Sequence, residues 1–151
     1  MKKLLLVLLG LFPFVLGFAM NSWLMDNPNS ILPFRLIGIL FLVFWVWVGF
    51  ITCKYAKTPY QSVVIIHLPA LFVLFLIMYQ NIVLEQYWSN FFGLATQFYY
   101  LPLINISSFI SSLIMTGGLH VQMSTAMVVA FLLMYGSYYV GCYFKKVVSG
   151  K

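Results

Sequence analysis

The sequence predicts an all-α integral membrane protein, a bundle of four transmembrane helices forming a single domain over residues 1–151, with both termini in the cytoplasm. Hydrophobic residues make up 64% of the 151 residues and charged residues 7%, and the mean hydropathy is +1.03, far from the usage of soluble domains. Four apolar runs each approach the roughly 20 residues that a helix needs to cross a bilayer. The basic residues between these runs fit one topology, which fixes the orientation of the bundle.

The first predicted span covers about residues 4–24, directly after Lys2 and Lys3. A cleaved signal peptide is the alternative, because a basic start, an apolar centre and the small residues Gly17 and Ala19 are typical of one. The apolar stretch exceeds the usual signal-peptide core of about 7 to 15 residues. We therefore favour an uncleaved helix.

The second and third spans are predicted at about 31–52 and 62–84. Residues 21–30 collect Asn, Asp, Pro and Ser and predict a tight outer hairpin. The connection 53–61 is short and basic, and Pro59 is suited to the first turn of the third helix. These three helices therefore follow one another as antiparallel neighbours.

Residues 86–122 are the ambiguous part of the sequence, followed by a fourth span at about 124–144. The aromatic residues of 86–100 are mixed with polar ones, as is typical of the headgroup level. The piece that begins at Pro102 fits a fifth span, a re-entrant half-helix or a helix lying in the outer interface. Five spans would carry the C-terminal lysines outside, against the retention of basic residues in the cytoplasm. We therefore predict an outer aromatic cap, interfacial or re-entrant.

Basic residues determine this orientation. With the N-terminus inside, both acids, Asp26 and Glu85, lie at or near the outer face. Cys53 and Cys142 then lie at cytoplasmic helix ends, where thiols stay reduced. Seven of the eight basic residues then lie inside: Lys2, Lys3, Lys54, Lys57, Lys145, Lys146 and Lys151. The sequence predicts a multi-pass protein of the cell membrane, more specifically a bacterial cytoplasmic membrane.

The net charge of +6 follows from this topology and from contact with anionic inner-leaflet lipids. Nucleic acid is not an expected partner, because its recognition needs a basic face on a folded surface.

Small and polar residues recur at helical spacing on each span and predict the inward faces, since close approach of small residues holds helices together in lipid. The third span places His67, Asn81 and Glu85 on one face. The other stripes are Gly10, Phe14, Gly17 and Asn21 on the first span, Arg35, Gly38, Leu42, Trp45, Gly49 and Thr52 on the second, and Ala126, Ala130, Ser137 and Gly141 on the fourth.

Arg35 and Glu85 are the leading candidates for a binding site. Each lies within about one helical turn of the outer boundary at 1.5 Å per residue, and charges inside spans usually face a partner. We predict an ion pair between them; the alternative is that Arg35 extends to the headgroups while Glu85 is in water. Asn81 lies one turn deeper on the same face, and His120 is a further candidate on the outer side.

His67 lies about 27 Å along the helix from Glu85, so the two cannot form one catalytic pair, and a structural role is predicted for His67. Asp26, Glu85 and His120 match no metal-binding spacing, and no metal or cofactor is expected. The serines near position 110 have no acid or base close in sequence, so nucleophilic catalysis is not expected either.

The predicted function is therefore non-enzymatic: an accessory, regulatory or immunity-type partner of a membrane assembly, with lipids and a second membrane protein or another copy of the chain as partners. An uncharged aromatic surface meets either lipid or protein. The alternative is a small transporter or a hydrophobic-ligand-binding protein that uses an outer-leaflet polar site around Arg35 and Glu85.

Overall fold

The structure, a computed structural model, describes residues 2–86, 88, 90–114 and 119–149, without the side chains at 91, 92, 94, 119–122 and 149. The described residues form helices and no strand. Four helical segments are long and apolar enough to cross a membrane, which confirms the prediction of an all-α chain with four long apolar helices: Lys2–Asp26, Phe34–Tyr55, Pro59–Val83 and Met123–Val148.

Two short helices lie between the third and fourth long segments, and the first long segment is divided in two. The α-helices of the described chain are α1 (Lys2–Gly10), α2 (Phe12–Asp26), α3 (Phe34–Thr52), α4 (Pro59–Met78), α5 (Phe91–Tyr100), α6 (Ile104–Ile114) and α7 (Leu119–Ser149). Short 3₁₀ turns follow α3 and α5, and a π-helical turn, Tyr79–Val83, extends α4.

The division between α1 and α2 has a local cause. Pro13 lies in the first turn of α2 and has no N–H to donate to the preceding turn. The Phe14 N–H bonds the Leu11 carbonyl at 3.0 Å, a tighter turn than that of an α-helix. The Gly10 carbonyl accepts a hydrogen bond from the Tyr99 hydroxyl at 2.5 Å.

The start of α4 agrees with the sequence prediction. Pro59 occupies the first turn, and the side-chain oxygen of Thr58 accepts the Gln61 N–H at 3.2 Å. This cap satisfies one of the N–H groups that the first turn leaves without a helical partner. The helix then runs through Pro69 to Met78.

Close backbone contacts at glycines hold α3 against α7. A Cβ on Gly49 would lie 2.3 Å from the Tyr138 carbonyl oxygen, and a Cβ on Gly141 would lie 2.0 Å from that of Val46. Neither space admits a methyl group, so the two helices approach each other more closely than larger residues allow. The small-residue faces predicted on these two helices therefore meet.

The α5–α6 pair occupies space between the long helices. At 1.5 Å per residue each helix is about 15 to 17 Å long, too short to cross a hydrocarbon core of about 30 Å. In the fold α5 packs on α2 and α4, α6 packs on α7 and α3, and the turn between them contacts α3. Tyr99 and Tyr100 are each 1% exposed, so these two aromatics lie in the core rather than on a wet surface.

The charged residues are segregated along the bundle. Lys145 lies 4.9 Å from the ring centre of Phe50, and Lys2 lines a groove with Tyr55, so the described lysines gather at one end. Asp26 ends α2, Arg35 begins α3 and Glu85 follows α4 at the opposite end. In the described part of the chain, Arg35 is the one basic residue at that end.

Candidate functional site

Arg35 lies in a groove at the beginning of α3. The groove has a volume of about 430 Å³ and is lined by Ile31, Leu32, Pro33, Phe34, Leu36 and Asn105 around the arginine. Arg35 Nε donates to Asn105 Oδ1 at 3.3 Å, and its guanidinium carbon lies 5.8 Å from the ring centre of Phe109. The partners of the arginine are thus on α6.

Glu85 does not complete this site. It is exposed and has a backbone φ of 49°, in the left-handed region where chains leave a helix. The Gln86 N–H reaches back six residues to the Gln80 carbonyl at 3.1 Å, one residue further than the bond of a Schellman motif, because the π-helical turn before it is wider than an α-helical one. The predicted Arg35–Glu85 ion pair is absent from the described residues, where Arg35 contacts α6 and Glu85 terminates α4.

The buried side-chain amides of Gln80 and Asn81, in the π-helical turn that extends α4, form a second polar region. Gln80 is 0% exposed, and its Oε1 accepts the backbone N–H of Trp88 at 3.3 Å. Its Nε2 has no hydrogen-bond partner among the described residues. Asn81, a predicted site residue, donates from Nδ2 to Ser124 Oγ on α7. Both amides lie in the π-helical turn, a local geometry that is frequent at functional sites.

His67 is fixed in one tautomer. The Trp45 indole N–H, which can only donate, bonds His67 Nε2 at 3.1 Å, so the ring proton resides on Nδ1. Nδ1 then donates to the Val63 carbonyl at 2.7 Å. Because both nitrogens are used and the side chain is buried, this geometry fits the structural role predicted for His67.

A chain of hydroxyls crosses from α4 through α7 to α3. Thr52 Oγ1 donates to the Val48 carbonyl at 2.6 Å, so it accepts from the Tyr138 hydroxyl at 2.8 Å. Tyr138 in turn accepts from Ser62 Oγ at 2.6 Å. The direction of every bond in the chain follows from the first, since each hydroxyl has one proton to donate.

His120 lies in α7, but its side chain is outside the described residues. Among those that are described, no group of three His, Cys, Asp or Glu residues is placed to hold a metal ion. The predicted site residues therefore divide into an exposed arginine, an exposed helix-ending glutamate and a buried asparagine, in separate surroundings.

Sequence reasoning missed Tyr138 and Ser62. Residues 126, 130, 134, 138 and 142 of α7 are all buried, a spacing of four that marks Tyr138 as inward. Selection by residue size instead picked out Ser137, which is half-buried. Spacing alone, without regard to residue type, identifies the buried tyrosine.

Comparisons with family models, with curated proteins and with solved structures found no match. The physical arrangement of the residues is therefore the basis of the functional proposals.

Proposed function

We propose that the chain is a non-enzymatic accessory, regulatory or immunity-type partner of a larger membrane assembly. The observation that carries this proposal is the packed centre of the bundle. Several of its polar side chains bond each other or a helix carbonyl, as in the Trp45–His67 pair and the chain through Tyr138. A protein with such a centre acts through its outer surface.

The same observation weighs against the alternative of a small transporter. A solute path along α4 and α7 has to pass Ile66 and Ala70, both 0% exposed, and Tyr138, also 0% exposed. Opening this seam breaks hydrogen bonds whose buried groups then cost about 1–3 kcal/mol each. Arg35 contacts Asn105 and forms no ion pair with Glu85 among the described residues, so the charge pair offers no support for a transport path.

The proposal places the chain in the cell membrane, as in a bacterial cytoplasmic membrane, with both termini in the cytoplasm. The segregation of the described lysines at one end supports this orientation, because lysine is retained on the cytoplasmic side. In this orientation the α5–α6 pair enters the membrane from the outer side and returns to the same side. Tyr99 and Tyr100 support a re-entrant position, since their hydroxyls meet Gly10 and Ala70 deep within long helices.

The outer part of α6 is a suitable contact surface for a partner. Leu113 is 72% exposed and Ile114 is 65% exposed, and the described part of α6 carries no charged residue. A photoreactive amino acid at position 113 of the full chain, in native membranes, tests for the partner. Phe72 on α4, 63% exposed, is the matched control position.

We expect a discrete protein adduct from position 113 and none from position 72. An adduct of twice the chain mass identifies a second copy as the partner, and a larger or smaller one identifies a different membrane protein; both support an accessory role. Lipid adducts alone at both positions, with the chain monomeric in native membranes, overturn it.

A further inference from the structure

The guanidinium of Arg35 has hydrogen-bonding capacity that the protein does not use. Of its five N–H groups, the described contacts engage the one on Nε, with Asn105 Oδ1 at 3.3 Å. No carboxylate lies within ion-pair distance among the described residues, since Asp26 and Glu85 are elsewhere on the same end. The two terminal nitrogens thus have four donors that are not used by the described residues.

The positions of Asn105 and Phe109 orient this guanidinium. Asn105 holds Nε from one side, and the ring of Phe109, 5.8 Å from the guanidinium carbon, lies against another. Both residues are on α6, whereas Arg35 is on α3. An arginine held in this way loses less conformational freedom when it forms the paired hydrogen bonds that a phosphate accepts.

The beginning of α3 adds a further attraction for an anion. Pro33 precedes the helix, and no side chain caps its first turn. The N–H groups there carry the partial positive charge of a helix N-terminus. This charge reinforces the arginine, which is itself in the first turn.

The walls of the groove indicate an amphiphile rather than a free ion. Ile31 is 94% exposed and Leu36 is 55% exposed, and both line the groove beside the arginine. Exposed aliphatic side chains of a membrane protein contact acyl chains. A molecule with one anionic group and an attached hydrocarbon chain therefore matches both parts of the groove.

We propose that the groove formed by Arg35, Asn105 and the apolar residues 31–36 binds the phosphate headgroup of an anionic phospholipid. The groove lining has no carboxylate to receive the ammonium group of a zwitterionic lipid, so it favours lipids such as phosphatidylglycerol. This binding is independent of the accessory role, because the purified chain alone suffices for it.

The test measures lipid retention by the purified full chain in nanodiscs of mixed phosphatidylglycerol and phosphatidylcholine, followed by native mass spectrometry. Arg35→Gln removes the charge, Arg35→Lys keeps it without the planar pair of donors, and Asn105→Ala removes the orienting contact. Lys57→Gln, an exposed cation at the other end, is the matched control. Circular dichroism verifies that each variant retains its helices.

We expect Arg35→Gln to lower the affinity for phosphatidylglycerol about tenfold, as loss of a charge-assisted contact implies. Arg35→Lys and Asn105→Ala should give intermediate losses, and Lys57→Gln, which removes one of several lysines at the other end, should lose clearly less than Arg35→Gln. Equal binding by Arg35→Gln and wild type overturns the proposal, as does an equal loss in Lys57→Gln. The proposal is also overturned if inorganic phosphate competes for the groove at the same concentration as a short-chain phosphatidylglycerol, because the acyl chain then adds nothing to binding.

Discussion

Replacing Gly141 by alanine is expected to destabilise the bundle at the contact between α3 and α7. The added methyl carbon would lie 2.0 Å from the Val46 carbonyl oxygen and 2.9 Å from the Phe50 nitrogen. Both are backbone atoms of a helix, so neither can rotate away. An ordinary carbon–oxygen contact is about 3.3 Å, and subtraction of the 2.0 Å available leaves about 1.3 Å of helix displacement.

This displacement acts on hydrogen bonds that cross the same contact. The bond from the Tyr138 hydroxyl to Thr52 is 2.8 Å long, and a movement of about 1.3 Å takes it beyond hydrogen-bonding distance. Overpacking costs about 1–3 kcal/mol, and a buried hydroxyl left without its partner costs about 1–3 kcal/mol. We therefore expect Gly141→Ala to lower the free energy of unfolding by about 2–6 kcal/mol.

Gly136→Ala on the same helix is the matched control, because a Cβ there meets no heavy atom within 4 Å. The same methyl group in open space should be neutral or stabilise α7 by up to about 1 kcal/mol through helix propensity. Titration of the purified chain from mild detergent into dodecyl sulfate, followed by circular dichroism, gives both free energies of unfolding. Equal stability of the two variants would refute the reasoning from backbone contact.

Three further changes test other parts of the fold. Trp45→Phe leaves His67 Nε2 buried without its donor and should lower the free energy of unfolding in the same titration by about 1–3 kcal/mol; an unchanged midpoint would contradict the proposed tautomer. Tyr99→Phe removes the hydroxyl from a carbonyl at the α1–α2 break and should cost about as much, unless water replaces it, in which case the loss falls below about 0.5 kcal/mol. To test the orientation, Ser30→Cys should react with an impermeant maleimide on intact cells, and Lys57→Cys should react only after permeabilisation. The two native cysteines are buried, so they should contribute little labelling. The reverse pattern would show that the topology is inverted.

The sequence was sufficient for the class of fold and for several inward faces. Hydropathy and length predict the four long helices because a bilayer requires about 20 apolar residues per crossing. Spacing of three and four places Gly49, Trp45 and Gly141 inward, and all three are buried. These features depend on one helix at a time, so a single sequence contains the information.

The arrangement of helices around the bundle was not predictable in the same way. Arg35 and Glu85 were matched by depth, but depth gives no position around the bundle axis. The structure places α6 beside the beginning of α3, so Asn105 rather than Glu85 meets the arginine. The prediction that residues 86–122 form an outer cap places α6 outside the bundle, so it does not predict α6 as a neighbour of α3.

The α5 helix belongs to the core rather than to an added cap. Tyr99 bonds the Gly10 carbonyl where α1 and α2 separate, and Tyr100 bonds the carbonyl of Ala70, directly after Pro69. A Cβ on Gly17 would lie 1.8 Å from the Phe98 carbonyl oxygen, so α2 also admits α5 at backbone distance. At the α1–α2 break the Phe14 N–H bonds the Leu11 carbonyl instead of the Gly10 carbonyl, and Tyr99 satisfies the Gly10 carbonyl, which lipid cannot do. The α1–α2 break and α5 therefore stabilise each other, because the Gly10 carbonyl and the buried Tyr99 hydroxyl would each lack a partner without the other.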